Sequence, residues 1–408
     1  MITLRYPNSP LQGHIALPSS KSESNRALIM QGLSGGQIQL ENLSSARDTQ
    51  TMIRLLESEG HVLDVIDAGT TMRFLTAFFA ATGRDQILTG TPRMCKRPIG
   101  ILVDALRSLG AEILYWKQEG YPPLNIVSQG SRLKGGELAM KGNVSSQFIS
   151  AILMIAPIVA GGITLTLEGD ISSRPYIEMT LGLMRHFGIE SQWDGQTITV
   201  SSQAYQPGNY KIESDWSAAS YWYSMAALAD DADLFLNGLR QDSFQGDQQI
   251  AHLMEPFGVH SDFQTDGVKL TKTPIRPDDL PQEINFTEFP DLAQTMAVVA
   301  AAHNHPITFT GLHTLRVKET DRIEAIATEL GKFGTEIETG PDYLKISGTF
   351  TPNAAELATY DDHRMAMAFA PLALKVPELT FDDEEVVVKS YPEFWDHLEQ
   401  VGFDIPAE

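Results

Sequence analysis

Amphipathic runs that close on one or two apolar residues and a glycine recur six times along the chain, at Gly60, Gly110, Gly188, Gly258, Gly334 and Gly402. Leu109-Gly110-Ala111-Glu112-Ile113 and Phe187-Gly188-Ile189-Glu190 show the form: a helix, a glycine, then a short strand-like alternation. Glycine just past a helix takes the left-handed cap conformation at little steric cost. Upstream of each lies a second helix opened by polar residues: Ser20-Lys21-Ser22, Gly69-Thr70-Thr71, Ser145-Ser146-Gln147, Asp215-Trp216-Ser217, Pro290-Asp291 and Asp362-His363-Arg364. Each of these runs into a β-rich segment such as Thr164-Leu165-Thr166-Leu167-Glu168 or Ile307-Thr308-Phe309-Thr310. The spacing from opening to capping glycine is steady, from 39 residues (Lys21 to Gly60) to 43 (Ser145 to Gly188). The pattern predicts one helix–strand–loop–helix unit used six times.

The connectors carry further alternating segments, among them Thr197-Ile198-Thr199-Val200 and Tyr343-Leu344-Lys345-Ile346. They run from 29 residues (Gly188 to Ser217) to 35 (Gly110 to Ser145), but the first spans only 10 (Gly60 to Thr70). The first unit therefore lacks a strand pair, and a short loop is expected over His61 to Ala68. A chain of 408 residues is too long for one core and suits two domains. Three units each gives one domain over 19–237 and a second over 238–408, with residues 1–18 crossing back to the second.

Composition narrows the function. The chain is 42% hydrophobic with one cysteine, Cys95, which excludes an internal disulfide and a multi-cysteine zinc site. The longest apolar run, Phe148 to Ala160, is too short to span a bilayer. No signal peptide is visible after Met1-Ile2-Thr3-Leu4-Arg5-Tyr6-Pro7, so a cytoplasmic protein is expected. The formal net charge is −22, a field that repels nucleic acid and anionic lipid, so neither is an expected partner.

Against that field, cations gather at the helix openings. Leu315-Arg316-Val317-Lys318-Glu319-Thr320-Asp321-Arg322 lies between a strand-like run and an amphipathic one, where backbone N–H groups receive anions. Lys318 and Arg322, four apart, can share one side of a first helical turn. Glu319 between them is poised for proton transfer, although a solvated helix start reads equally well in isolation. Other openings supply Lys21, Ser22 and Arg26; Thr70 and Arg73; Arg97; Ser145, Ser146 and Gln147; Ser173 and Tyr176; Asp291; His363 and Arg364; and Lys389. Helix N-termini carry about half a positive charge each. Converging, they would form an anion-seeking cleft for a ligand with more than one anionic group. Asp291 and the Ser145-Ser146 pair are also ordinary helix caps when taken singly. Asp291 in a cationic setting is an available general base. His363 fits polarisation of a substrate group and a core hydrogen bond equally. Cys95 reads as an inert small residue, and Trp216, Tyr221, Trp222 and Tyr223 as core. Phosphate-loop, dinucleotide-binding, zinc-protease and nucleophile-elbow motifs are missing, and acidic residues have no metal-ligand spacing.

With these residues in view the chain resembles the 5-enolpyruvylshikimate-3-phosphate (EPSP) synthase family. The stretches that carry the resemblance are Pro18 to Arg26, Ala68 to Arg73, Pro92 to Pro98, Val144 to Phe148, Ser173 to Tyr176, Phe244-Gln245-Gly246-Asp247, Leu315 to Arg322, Asp362 to Ala366, and Lys389 before Tyr391-Pro392. The resemblance implies an α/β, two-domain inside-out α/β barrel of six βαβαββ-type repeats, three per domain with the first shortened, and a site in the interdomain cleft. It implies transfer of enolpyruvyl from phosphoenolpyruvate to shikimate 3-phosphate in chorismate and aromatic amino acid biosynthesis, with no cofactor, no metal and a monomeric enzyme. It assigns Lys21, Ser22, Arg26, Ser145, Ser146, Gln147, Ser173, Tyr176, Asp291 and Lys318 to shikimate 3-phosphate. Lys21, Gly69, Arg97, Gln147, Arg322, His363, Arg364 and Lys389 fall to phosphoenolpyruvate. Asp291 becomes the proton acceptor and Glu319 the proton donor, with Lys21 touching both substrates. Asp67 stands where the family usually has Asn, and Thr314 where some members have a substrate-binding Asn. Gly69 resembles glyphosate-sensitive members. The alternatives are the sister enzyme acting on UDP-N-acetylglucosamine, whose loop cysteine lies further from its Arg-Pro than Cys95 does here, and a non-catalytic binder of small phosphorylated anions.

Overall fold

In chain order the elements repeat a single plan. The computed structural model describes residues 1–7, 10–127 and 133–406. Strands β1 (Ile2–Leu4) and β2 (Leu11–Ile15) precede the first repeat: α1 (Lys21–Leu33), β3 (Ile38–Glu41) and α2 (Arg47–Glu57). The second holds β4 (Val62–Asp64), α3 (Gly69–Thr82), β5 (Gln86–Thr89), α4 (Gly100–Ser108), β6 (Glu112–Tyr115) and β7 (Leu124–Val127). The third holds β8 (Lys134–Lys141), α5 (Ser146–Ile155), β9 (Ala160–Glu168), α6 (Arg174–His186), β10 (Gln192–Asp194) and β11 (Thr197–Val200), followed by β12 (Gly208–Lys211). The fourth continues with α7 (Trp216–Leu228), β13 (Ala232–Asn237), α8 (Ile250–Met254), β14 (Val259–Gln264) and β15 (Gly267–Lys272). The fifth has β16 (Glu283–Asn285), α9 (Ala293–Ala302), β17 (Ile307–Thr310), α10 (Arg322–Gly331), β18 (Thr335–Thr339) and β19 (Leu344–Gly348). The sixth has β20 (Ala355–Leu357), α11 (His363–Phe369), β21 (Leu379–Phe381) and α12 (Phe394–Gln400).

Four sheets share one strand order: β4-β5-β7-β6, β8-β9-β11-β10, β2-β13-β15-β14 and β16-β17-β19-β18. The first pair in each is parallel and the hairpin antiparallel. The other two repeats are completed from distant sequence. β12 pairs parallel with β3, Gly208 opposite Ile38, and among the described residues this sheet has two strands and no hairpin. β1 pairs antiparallel with β21, taking the place that a hairpin strand fills elsewhere. The missing strand pair of the first repeat is thus real. The stretch His61 to Ala68, expected as loop, instead contains β4, which opens the second repeat's sheet beside β5.

The chain forms two compact units, residues 19–212, and residues 1–18 with 213–408. The expected break at 237–238 is therefore moved 25 residues earlier. The cause is strand pairing: β12 closes the first repeat through β3, whereas β13 is held between β2 and β15. Each unit has its own apolar core. In each, the three opening helices pack on one another, α1, α3 and α5 in one and α7, α9 and α11 in the other. Their sequences explain this. Trp-Ser-Ala-Ala-Ser-Tyr-Trp-Tyr-Ser-Met-Ala-Ala-Leu in α7 is nearly apolar or small on every side, so it is buried all round. The partner helices α2, α4 and α10 have one apolar face and lie outside. The opening helices lie inside each unit because of that difference.

Candidate active site

In the unit that contains 213–408, the charged run around Arg322 meets the openings of α9 and α11. Asp321 caps α10, accepting from Glu324 N, so Arg322 is the first helical residue. Lys318 precedes the helix, after a 3-10 turn over His313–Val317, so it and Arg322 do not share a helix face as the spacing suggested. They share a target instead. Asp291 Oδ1 accepts from Arg322 Nη1 at 3.0 Å and lies 3.3 Å from Lys318 Nζ, while Oδ2 accepts from Arg364 Nη2 at 3.0 Å. Arg322, 2% exposed, also grips Asp362 through Nε at 2.7 Å and Nη2 at 3.1 Å, and donates to Glu319 Oε2 at 3.0 Å. Lys389 Nζ lies 3.5 Å from Glu319 Oε1. Asp362 in turn caps α11 by accepting from Arg364 N, and His363 Nδ1 lies 3.7 Å from its Oδ1.

The electrostatics follow from this crowding. Burial by itself would raise the Asp291 carboxyl, but Arg364, Lys318 and Arg322 outweigh it and hold the group well below the usual carboxylate range. Burial works against the Arg322 charge too, yet Asp362, Glu319 and Asp291 together raise it. The capping reading of Asp291 gives way to a carboxylate shared by three cations.

The unit over 19–212 gathers a second set. Ser20 caps α1, and Lys21 Nζ lies 3.5 Å from the buried Asp48 Oδ2. One turn on, Arg26 is buried among three helices: Nε donates to Thr180 Oγ1 at 2.7 Å, Nη1 to Ser22 O at 2.9 Å, and Nη2 to Ser150 Oγ and Tyr176 O. Its guanidinium lies 5.5 Å from the Phe74 ring centre, and burial lowers it to about 10. Ser145 stands at the start of α5 without making a side-chain capping bond, which weakens the plain-cap reading. Gln147 Nε2 donates to Thr70 Oγ1 at 3.0 Å, tying the starts of α5 and α3 together. Ser173 precedes α6 in a left-handed conformation, φ 55°, uncommon for a residue other than Gly, Asn or Asp and frequent at binding sites.

Gly69 opens α3 beside two arginines. A Cβ there would sit 2.7 Å from Arg97 Nη1 and 2.8 Å from Arg73 Nη1, so the glycine is required for Arg97 to lie where it does. Arg73 donates to Gly69 O at 2.9 Å and to Pro98 O at 3.3 Å, bracing the Arg97-Pro98 loop. Asp67 has its own explanation, an ion pair with Arg47 Nη2 at 3.1 Å. Thr314 Oγ1 is buried with no hydrogen-bond partner among the described residues. Cys95 Sγ lies 3.5 Å from Gly90 O.

Several participants were not picked out from sequence. Asp48 was not singled out and Asp362 was only part of the opening Asp362-His363-Arg364, yet they hold Lys21 and Arg322. Tyr221 is core, as expected of that aromatic run, but its hydroxyl accepts from Arg364 Nη1 at 3.3 Å. Ser217 Oγ accepts from Arg364 Nη2 at 3.2 Å and donates to Asp247. The opening Asp215-Trp216-Ser217 was the signal for the last of these.

No helix among the described residues is long and apolar enough to cross a membrane, and no group of three or more His, Cys, Asp and Glu there is placed to hold a metal ion. Six repeats around internal helices, with cations at the helix openings, define the class of enolpyruvyl transferases. Solved structures share that fold: EPSP synthase from Acinetobacter baumannii superposes with a TM-score of 0.79 at 21% identity over 100% of both chains. The enolpyruvyl transferase NikO from Streptomyces tendae gives 0.77 at 16% identity, over 99% of this chain and 98% of that one. The chain belongs to the EPSP synthase (3-phosphoshikimate 1-carboxyvinyltransferase) family, whose model matches residues 6–60 and 54–398. The two matched segments overlap over residues 54–60, just before the shortened first connector. A 3-phosphoshikimate 1-carboxyvinyltransferase of Bacteroides fragilis (strain YCH46) is 47% identical over 401 residues, covering 97% of each chain. One of Escherichia coli O17:K52:H18 is 38% identical over 425 residues, covering 97% of this chain and 98% of the relative.

Proposed function

We propose that this chain transfers the enolpyruvyl group of phosphoenolpyruvate to the 5-hydroxyl of shikimate 3-phosphate and releases phosphate. The observation that carries the reading is 47% identity over 97% of the chain to a 3-phosphoshikimate 1-carboxyvinyltransferase, together with the Asp291–Lys318–Arg322–Arg364–Glu319–Lys389 cluster. Ser22, Arg26, Ser145, Ser146, Gln147, Ser173, Tyr176 and Lys318 hold shikimate 3-phosphate. Gly69, Arg97, Arg322, His363, Arg364 and Lys389 hold phosphoenolpyruvate, with Lys21 and Gln147 touching both.

The chemistry runs by addition and elimination. Protonated Glu319 gives its proton to the methylene carbon, making C2 electrophilic. The 5-hydroxyl oxygen bonds to C2 and its proton passes to Asp291. The tetrahedral adduct then loses a methyl proton back to Glu319, the C2–O bond to phosphate breaks, and the enol ether forms. Fixed cations stabilise the charge that develops, usually the largest catalytic contribution.

The ion pairs add a physical requirement. Asp291 surrounded by three cations is a weak base, and Glu319 is paired with Arg322 and Lys389. The substrates bring phosphate and carboxylate groups that compete for the same cations. As Arg322, Arg364, Lys318 and Lys389 turn to them, both carboxylates lose partners and Asp291 becomes a better base. Incubation with phosphoenolpyruvate and each acceptor, followed by mass spectrometry, tests the assignment. A product from shikimate 3-phosphate alone supports it; one from UDP-N-acetylglucosamine alone overturns it.

A further inference from the structure

The fourth repeat is the one whose helix opening received no task from the sequence, although Phe244-Gln245-Gly246-Asp247 is among the stretches that carry the resemblance. Its local structure is heavily built. Asp215 caps α7 by accepting from Ala218 N at 3.0 Å. Gln245 accepts from Trp216 N at 3.0 Å and donates to Ser214 O at 2.8 Å and Glu213 Oε2 at 3.1 Å. Buried Glu213 also accepts from Arg240 N, Ser243 Oγ and Trp216 Nε1. These bonds clamp the loop after β13 onto the first turn of α7. The clamp brings Asp247, 3% exposed, to Ser217 Oγ. Ser217 Oγ in turn accepts from Arg364 Nη2, whose other hydrogen bond goes to Asp291.

We infer that Asp247 and Ser217 form a positioning pair that fixes the Arg364 guanidinium for phosphoenolpyruvate. The inference rests on the proposed assignment of Arg364 to that substrate. An ionised Asp247 can only accept, so the Ser217 hydroxyl must spend its proton there and turn a lone pair to Arg364. Tyr221 O–H on the neighbouring Nη1 completes the setting of the fork. Positioning of this kind governs substrate affinity and approach geometry, because small misplacement of a gripping arginine is felt in the transition state.

The groups that face Asp247 are Asp291 and Asp215, which resist its ionisation, and Arg364 and Ser217, which favour it; burial is the largest influence, and the carboxyl is pushed up to about 6. A folded pKa raised above its unfolded value means that the carboxyl disfavours folding once ionised. Stability from this site is highest below about pH 4, falls as pH rises through about 6, and stays low above it. Keeping a charge buried at a cost to stability is what a positioning role requires and a merely structural one does not.

The test is steady-state kinetics of Asp247→Asn, Ser217→Ala and the double variant in the full chain, with Arg364→Ala in parallel, from pH 5 to 9. Asp247→Asn is expected to raise KM for phosphoenolpyruvate about tenfold and change KM for shikimate 3-phosphate less than twofold. It should also flatten the fall of kcat/KM for phosphoenolpyruvate between pH 7 and 5, while its Tm at pH 7.5 equals or exceeds wild type. The double variant should be no worse than the poorer single one. Unchanged phosphoenolpyruvate kinetics in both single variants, with Arg364→Ala impaired, overturns the pair alone. An Arg364→Ala enzyme with wild-type KM overturns the assignment of Arg364 as well. Loss of activity in step with a lower Tm in both Asp247→Asn and Ser217→Ala would make the pair structural and also overturn the inference.

Discussion

At the scale of single residues, the site is a set of buried charges that lean on one another. Arg322 illustrates the cost of removal. Its loss leaves Asp362, fully buried, without its two-pronged partner. Arg322→Ala should therefore lower stability by about 3–5 kcal/mol as well as activity, read by urea unfolding, and an unchanged midpoint would contradict the ion-pair account. Glu319→Gln keeps the shape but cannot carry the proton. Turnover should fall about a hundredfold or more, with Michaelis constants little changed; near-normal turnover would remove Glu319 from the mechanism. Gly69→Ala forces Arg97 or Arg73 aside and should raise KM for phosphoenolpyruvate, while glyphosate should compete with that substrate in the unmodified enzyme. Non-competitive inhibition would contradict this placement. Acid sensitivity follows from Asp291. Its folded pKa is depressed, so its stabilisation is fully present above the unfolded value of about 3.9 and is lost as pH falls through the folded one. Melting temperatures measured from pH 7 down to 2 should drop below about pH 4, less steeply in Asp291→Asn. At this scale the cation-bearing helix openings were legible, because Lys, Arg and Ser in such density stand out against an acidic chain. Asp247 and Ser217 were each quoted in a stretch of interest, but their contact was not legible, because a bond between residues 30 apart leaves no periodicity to read.

At the scale of elements, helix and glycine spacing carried the architecture. A 3.6-residue pattern depends only on local sequence, so all six opening helices could be placed. Strand partnership is non-local. Nothing in Gly208-Asn209-Tyr210-Lys211 distinguishes a strand that opens the fourth repeat from one that closes the first, and the domain break was misplaced for that reason. The exchange has a testable consequence. β1 covers the edge of β21 and buries Leu4 completely. Deleting residues 1–7 would leave that edge unpaired and remove a buried leucine worth roughly 2–3 kcal/mol. Hydrogen exchange should speed up at Leu379–Phe381 with little change in α1, α3 and α5; uniform acceleration across both units would show that the strand does something else.

At the scale of the whole molecule, an acidic chain handles two anionic substrates. The net charge of −22 acts at long range and is screened within about 8–10 Å at ordinary ionic strength. Buried arginines, lysines and helix N-termini act at contact, where screening is weak. The proposed function therefore depends on cations such as Lys21, Arg97, Arg322 and Lys389, each in a stretch too ordinary to identify alone. The most direct measurement is inorganic phosphate released from phosphoenolpyruvate, followed continuously with and without shikimate 3-phosphate. Release that requires shikimate 3-phosphate, one phosphate for each enolpyruvyl ether formed, is the expected result. Release that proceeds equally without the acceptor, or none with both substrates present, would contradict it.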